Sequence, residues 1–520
     1  MIILVSLCVS ILASLLAYSA LAIEQNSILF QDAAAVISFN NETQSVEVLY
    51  STSVLITGDR IVSIFPASKK EETPVNTTII PSQGKIITPG FIDTHRHLWQ
   101  TAFKTLGSNT SLAEYFNRYG EFAISKTLYT PEDVYLGQLT GIYESLNAGV
   151  TSILDHSHHT WSPETALAGL QASVDSGARV WWTFTFHDLD NETYTSPYTR
   201  EAQVQDFLQL SQEGPWKSSS TVSFGAAYDG WTVDNMTLVQ QVIDLATSQN
   251  VSAFTTHYLG GPWNYANSPV LLNTLGFLNT SIPIVFSHAS YMTAQDAVLL
   301  RDTNQFISIT PESERHYGHG DPSSPYVMDQ ASLGIDTHFT FSADIIGQAR
   351  LWLQTVRLQF YAQVLNNWQV PPNNPMSVEQ AFLLATRGGG LALHRNDIGV
   401  LVEGAKADLV VFDATSPNIL GWVDPVAAVI LHSNTGDIEH VLVDGEFRKW
   451  DFKLIVPGND YSNITTRFLK SAKRIQTVFK ETPLPHLVGS WPYEQGVNYT
   501  DAITVDVVRG PENGYEATQN

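Results

Sequence analysis

Cysteine is nearly absent: the 520 residues contain one, Cys8. That excludes a disulfide framework and a thiolate-ligated zinc site. Positive charge is also scarce, with 27 Lys and Arg against 51 Asp and Glu and a net charge of −24. A protein that tracks phosphates along a nucleic acid needs the opposite balance, and polyanionic partners are disfavoured generally. Charged residues make up 15% and hydrophobic residues 43% of the chain. This globular balance excludes disorder of the chain as a whole. Beyond residue 22 no apolar run is long enough to span a bilayer.

Residues 1–22, MIILVSLCVSILASLLAYSALA, carry no charged side chain and end in Ala20-Leu21-Ala22. This predicts a secretory signal peptide, with the mature chain starting near Ile23; the other reading is an uncleaved anchor, since no Lys or Arg marks the n-region. Nine Asn-x-Ser/Thr sequons, beginning at Asn41, Asn76, Asn109, Asn191, Asn235, Asn250, Asn279, Asn463 and Asn498, predict a glycosylated, secreted protein. Cys8 leaves with the signal, and no stable membrane association is expected after cleavage.

What is present is a rhythm. Residues 27–87 form short β-rich runs, with Gly58-Asp59 as a hairpin signal. Eight nearly continuous apolar runs follow, at 87–97, 149–156, 179–188, 221–231, 251–257, 282–288, 305–312 and 331–336, separated by stretches of helical period. Thr130-Pro131-Glu132-Asp133 and Ser162-Pro163-Glu164 are helix starts, each with an N-cap, a Pro at the first position and acid in the first turn. The alternation predicts an α/β protein built on a (β/α)8 TIM-type barrel over 88–393. β-rich segments return at 398–413 and 440–449, so a small β-sandwich domain is expected from both termini, 23–87 with 394–470. A surface extension is expected over 471–520.

Barrel enzymes place their chemistry at the C-terminal ends of the strands. Strand 1 ends in Asp93-Thr94-His95-Arg96-His97, where His95 and His97 share a face. Strand 5 ends in His257, strand 6 in His288 and strand 8 in Asp336. Each alone reads as a hydrogen-bonded structural residue or a helix cap. Together, several imidazoles and a carboxylate at one mouth suit Zn2+ or Fe2+.

These motifs resemble the amidohydrolase superfamily, in its cytosine-deaminase-like and triazine-hydrolase-like branch, across about residues 28–450. ITPGFIDTHRH resembles the strand-1 signature and Gly149–Asp155 the strand-2 signature. Ala385-Thr386, Gly388-Gly389-Gly390, Ile398-Gly399 and Glu403-Gly404-Ala405-Lys406-Ala407-Asp408-Leu409-Val410 resemble the C-terminal return. The resemblance implies that His95, His97, His257 and Asp336 hold one divalent ion, Zn2+ first and Fe2+ as the alternative. It implies that His288 orients the attacking water and substrate, with Asp336 also taking the water's proton. A second ion would call for a carboxylated Lys at the end of strand 4; that end reads Ala226-Ala227-Tyr228-Asp229-Gly230, with Lys217 ahead of the strand. A single-ion site is therefore expected.

Trp99, Gln100, His158, Glu312 and His319 are candidate substrate contacts, with Glu312 leading on the strand-7 loop. His156, His158 and His159 read equally as solvated loop imidazoles. Trp99, Trp161, Trp181 and Trp231 read as a pocket lining or as core. Lys406-Ala407-Asp408 reads as structural. The expected function is metal-dependent hydrolysis of a C–N bond in a small cyclic or aromatic amide or amine. The alternatives are a catalytically dead barrel used for binding, or C–halogen or C–O hydrolysis or decarboxylation at the same site. Homo-oligomerisation stays open. One departure matters: in the resembling deaminases a Glu three residues after the strand-5 His moves a proton, and here that position is Gly260. Either Glu312 replaces it, or the substrate needs no ring protonation, as an amide or a compound with an activated leaving group; the second is simpler.

Overall fold

The computed structural model describes residues 26–69, 71–187, 189, 198–320, 323–456, 458, 460–492 and 494–505, with a terminal hairpin, Val507–Gly510 and Gly514–Ala517. The proposed signal segment, Cys8 and Asn191 lie outside the described residues.

Five strands precede the barrel: β1 (Ser27–Asn40), β2 (Ser45–Thr57), β3 (Arg60–Pro66), β4 (Thr78–Pro81) and β5 (Lys85–Pro89). Gly58-Asp59 makes the turn between β2 and β3, as its sequence predicts. The barrel strands are β6 (Phe91–Arg96), β7 (Val150–Ser157), β8 (Arg179–Phe186), β9 (Val222–Tyr228), β10 (Phe254–Leu259), β11 (Ile284–Ser290), β12 (Phe306–Ile309) and β13 (Ala331–Leu333). Each falls within or beside one of the eight apolar runs. All pair in parallel in chain order, and the ring closes where His97 N–H donates to the Asp336 carbonyl at 2.8 Å and Asp336 N–H to the His95 carbonyl at 2.9 Å. The expected helix starts hold: Thr130 and Ser162 each form a capping box ahead of the helices Pro131–Asn147 and Pro163–Ser176.

The chain returns through β14 (Leu409–Asp413), β15 (Ile438–Val443), β16 (Glu446–Trp450) and β17 (Lys453–Leu454). With β1–β5 these form one nine-stranded mixed sheet rather than two separate ones. It curls over its own core: Phe30 of β1 packs on His440 and Phe447, which stand on β15 and β16 and are not neighbours of β1 in the sheet. The sandwich-like core of the sequence reading is thus achieved by bending a single sheet.

Lys406-Ala407-Asp408 is structural, as expected. Asp408 accepts two bonds from Arg179 at the start of β8, 2.7 and 3.0 Å, and Lys406 pairs with Asp444 at 2.9 Å. This joins the terminal sheet to the end of the barrel opposite the chemistry. Trp181 lies at that end too, with Leu154, Val285 and Phe306, and so is core.

The C-terminal reading needs correction. Residue 470 is not a boundary; it falls inside the helix Tyr461–Glu481. Ile464, Ala472, Ile475 and Phe479 form its buried stripe. Phe479 stacks on Tyr119 and meets Phe103 edge-on, and Gln476 donates to the Ala102 carbonyl at 3.0 Å. The helix braces the long insertion between β6 and its barrel helix, and that insertion forms one wall of the site.

Candidate metal centre and cavity

The strand ends bring His95, His97, His257, His288 and Asp336 together. His95 and His97, two apart on β6, have ring centroids 4.8 Å apart; His95 lies 4.9 Å from His257 and 5.0 Å from His288. Asp336 Oδ1 is 3.3 Å from His95 Nε2 and 3.2 Å from His97 Nε2, and His97 Nε2 is 3.2 Å from His257 Nε2. Ligands about 2.0–2.1 Å from a tetrahedral ion stand about 3.3 Å from one another, so the spacing of His95, His97 and Asp336 fits one ion, with His257 next to His97; His95, His156 and His257 form a second group close enough to hold a metal. His95 Nε2 is buried and has no hydrogen-bond partner, as an atom reserved for a metal would be.

The opposite nitrogens are occupied, which fixes the rings. His95 Nδ1 meets Ser287 Oγ at 2.7 Å, His97 Nδ1 the His156 carbonyl at 2.9 Å, and His257 Nδ1 Asp229 Oδ2 at 2.8 Å. Asp229 Oδ1 accepts from the His257 N–H at 2.7 Å and the Thr256 hydroxyl at 2.9 Å. Burial works against the charge of Asp229, yet the adjacent His257 and these bonds hold its carboxyl below the usual range. Carboxylate or carbonyl partners of this kind orient metal-ligating imidazoles and raise their basicity. Ser313 donates to Asp336 Oδ2 at 2.5 Å, leaving Oδ1 toward the imidazoles.

His288 is held differently. Its Nδ1 meets Thr310 Oγ1 at 2.7 Å, and Thr310 also donates through N–H to Glu314 at 2.8 Å. With Nδ1 engaged, Nε2 faces the cavity. Burial and the neighbouring imidazoles keep His288 neutral, its pKa well below 6.5. His288 (φ 71°) and Asp336 (φ 80°) both take left-handed backbone conformations. For residues with a Cβ this costs about 1–3 kcal/mol each and concentrates at functional sites.

A narrow cavity opens above these groups, walled by His97, His158, His257, His288, His319 and Asp336, by Leu112, Tyr115, Phe116 and Glu121 of the insertion, and by Leu259, Tyr265 and Tyr317. His158 stacks on His97 at 3.9 Å and His319 meets His288 edge-on at 4.6 Å. Both of these candidate residues line the cavity.

Three other candidates do not line it. Trp99 and Gln100 lie in a 3-10 turn, Leu98–Phe103, that aims them into the core. Trp99 donates to His158 Nδ1 at 2.9 Å and Gln100 to the Tyr115 hydroxyl at 3.0 Å, so both act from behind the wall. Glu312 turns outward to the helix Ile345–Leu365 and accepts from Gln348 at 2.8 Å; it is Ser313, one residue on, that reaches Asp336. Trp161 and Trp231 are packed in aromatic clusters with Trp99 and with Phe254 and Phe277. His156 is no loop imidazole: it is buried at the end of β7, 4.4 Å from the His257 ring and 3.4 Å from Asp229.

Glu121 has no counterpart in the sequence reading. It is the one carboxyl besides Asp336 on the cavity wall among the described residues. Trp161 Nε1 donates to its carbonyl at 3.0 Å, and burial pushes its carboxyl pKa up, with the charges of His257 and His97 opposing. Position 260 cannot serve instead: a Cβ on Gly260 would sit 2.9 Å from the Ser290 carbonyl oxygen.

The amidohydrolase family profile matches residues 86–448. The chain is 23% identical over 401 residues to the 5-methylthioadenosine/S-adenosylhomocysteine deaminase of Thermococcus kodakarensis, covering 76% of this chain and 88% of that protein. Its fold matches a zinc-bound adenosine deaminase from Xanthomonas campestris with a TM-score of 0.73 and 18% identity, over 87% of this chain and 99% of the other. It also matches the atrazine chlorohydrolase of Arthrobacter aurescens in complex with zinc, with a TM-score of 0.70 and 20% identity, over 86% and 100%.

Proposed function

This chain belongs to the amidohydrolase family, and from that footing we propose that it is a hydrolase using one zinc ion to cleave a C–N bond of a small cyclic or aromatic amide or amine. The observation that carries the reading is the grouping of His95, His97 and Asp336 Oδ1 at ligand spacing, with His257 Nε2 3.2 Å from His97 Nε2 and the His288 ring beside that of His95. A bound divalent ion supplies Lewis acidity and a water of lowered pKa. The chain supplies the rest. Asp336 and neutral His288 flank the attacking water; His288, fixed through Thr310, orients it by accepting its hydrogen at Nε2, and Asp336 takes the proton released on attack. Glu121, on the cavity wall, returns a proton to the departing nitrogen. Water oxygen bonds to the acyl or ring carbon, the C–N bond breaks, and the amine leaves protonated at nitrogen.

Zinc-loaded protein should hold about one ion per chain. Chelation should abolish hydrolysis of aryl or cyclic amides, and added zinc should restore it. Two tightly held ions, or no turnover of any amide or amine by the loaded chain, would overturn this reading.

Export is part of the same proposal. Apart from Asn191, the sequon asparagines all lie in described residues and all are exposed, as glycan acceptors must be. No helix among the described residues is long and apolar enough to cross a membrane. The secreted protein should start near Ile23 and lose mass on enzymatic deglycosylation; intact Met1 and an unchanged mass would reject export by this route.

A further inference from the structure

Beyond the brace helix, residues 482–492 and 494–505 run as an irregular segment against the insertion and the turn Gly261–Trp263 after β10. Among the described residues of this segment Trp491 alone is buried. The backbone around it closes on itself: Trp491 N–H donates to the Val497 carbonyl at 2.8 Å and Tyr499 N–H to the Gly489 carbonyl at 2.9 Å. This small loop presents one indole to the rest of the protein. Elsewhere the segment stands off, leaving a cleft of about 630 Å3 between its residues 485–488 and 497–502 and Ser111, Glu114 and Pro262. Trp491 touches the wall of the catalytic cavity from outside. Its ring lies 6.0 Å from that of Phe116, and Phe116 lies 6.3 Å from Tyr265; both of these line the cavity. It meets the Trp263 ring edge-on at 5.4 Å, and its Nε1 donates to the Trp263 carbonyl at 2.9 Å. Trp263 Nε1 donates in turn to the Gly318 carbonyl at 3.1 Å, one residue before His319. One side chain thus joins three wall loops: the insertion, the turn after β10 and the loop after β12. The cavity has a volume of about 40 Å3, room for a water or two and far below the roughly 300–1,000 Å3 of sites that hold small organic ligands. A substrate therefore reaches the strand ends when the wall moves.

We propose that the C-terminal segment is the lid of the catalytic cavity, with Trp491 as its latch, and that release of this one side chain admits substrate. A segment held by few buried contacts opens locally at a small fraction of the cost of unfolding the protein. Here one buried indole holds the segment down, and the loops it joins carry Phe116, Tyr265 and His319 on the cavity side. Lifting Trp491 frees those loops to part while the barrel strands that carry the metal ligands stay in place. Lids of this kind gate entry and exclude water from the chemistry. Trp491 is a positioning residue: it acts through Phe116 and Trp263. On the hydrolase reading above, on which this consequence rests, the latch sets the size of the amide or amine that enters. The segment lies outside residues 86–448, which the family profile matches, so the filter is not part of the matched region.

The test is carbethoxylation of histidines by diethyl pyrocarbonate, read by peptide mass spectrometry on the full chain. The reagent is too large for a cavity of about 40 Å3. His158 and His319 line that cavity, and neither is a proposed metal ligand, so the readout needs neither zinc nor turnover. Exposed His432, in the turn Ala428–His432, is the control. In the parent, both cavity histidines should react at least about 10-fold more slowly than His432. Trp491→Ala should raise their rates at least about 10-fold, because truncating a buried Trp removes most of the contacts that hold the latch. Trp491→Phe keeps a ring and should fall between, and His432 should react alike in all three. Cavity histidines as reactive as His432 in the parent, or unchanged in Trp491→Ala, would overturn the lid. So would a rise that includes His432, which would report loosening of the whole fold. The hydrolase reading fails separately, through absence of amide turnover by the zinc-loaded parent while the Trp491-dependent protection of His158 and His319 remains.

Discussion

Replacing His288 with Asn is expected to leave about one metal ion per chain and to lower kcat by about 10²–10⁴-fold, the range typical of a lost proton-handling group. Asn is the informative substitute because residue 288 sits at φ 71°, a conformation that Asn tolerates better than Ala or most other residues. Its amide is too short to join Thr310 and the reacting water at once. His97→Ala should behave in the opposite order. Its Nε2 lies 3.2 Å from both Asp336 and His257, so its loss should empty the site, and activity should fall because the ion is gone. Elemental analysis of both purified variants, alongside steady-state kinetics, separates the roles. A metal-free His288→Asn, or full metal retention in His97→Ala, would show that the ligand set is misassigned.

Much of this site is legible in the sequence, because a parallel barrel puts the last residues of every strand at one mouth. His95, His97, His257, His288 and Asp336 could be read from strand ends alone. Their supporting groups could not. Ser287, Asp229, Thr310 and Ser313 matter through hydrogen bonds between strands or from strand to loop, and those depend on register and loop path that apolar runs do not encode. The misplaced residues share a cause. Trp99, Gln100 and Glu312 sit in the first turns after a strand, where a shift of one residue turns a side chain by about 100° on a helix. Thus Ser313 faces Asp336 while Glu312 faces away. The apolar run 149–156 ends at His156, which alone suggests a loop imidazole, whereas β7 continues to Ser157 and keeps the ring buried. The brace Tyr461–Glu481 was within reach: Ile464, Phe468, Ala472, Ile475 and Phe479 recur at helical spacing. The Pro, Gly and Asn residues that suggest a loose extension lie beyond that helix.

Glu121→Gln is expected to lower kcat for unactivated anilides by about 10²–10⁴-fold, with zinc content unchanged. Gln keeps the size of the side chain and most of its hydrogen bonding but cannot release a proton at accessible pH. Expulsion of an aniline needs a proton on nitrogen as the bond breaks; expulsion of nitroaniline needs it less, and expulsion of nitrophenolate hardly at all. The deficit should therefore shrink along the series anilide, nitroanilide, nitrophenyl ester. A residue that merely shapes the wall would depress all three alike, so the slope against leaving-group basicity reports proton transfer specifically. Glu312→Gln is the control, because Glu312 points to Gln348 and away from the cavity; it should leave all three rates within about twofold, as surface changes away from a site do. On the proposed role of Glu121, the packing around residue 260 explains why the acid would come from the insertion. Crowding by the Ser290 carbonyl excludes a side chain at position 260, whereas the insertion, braced by the C-terminal helix, places Glu121 on the wall of the same cavity. A flat loss across the leaving-group series, or a Glu312→Gln deficit matching that of Glu121→Gln, would remove Glu121 from the proton path.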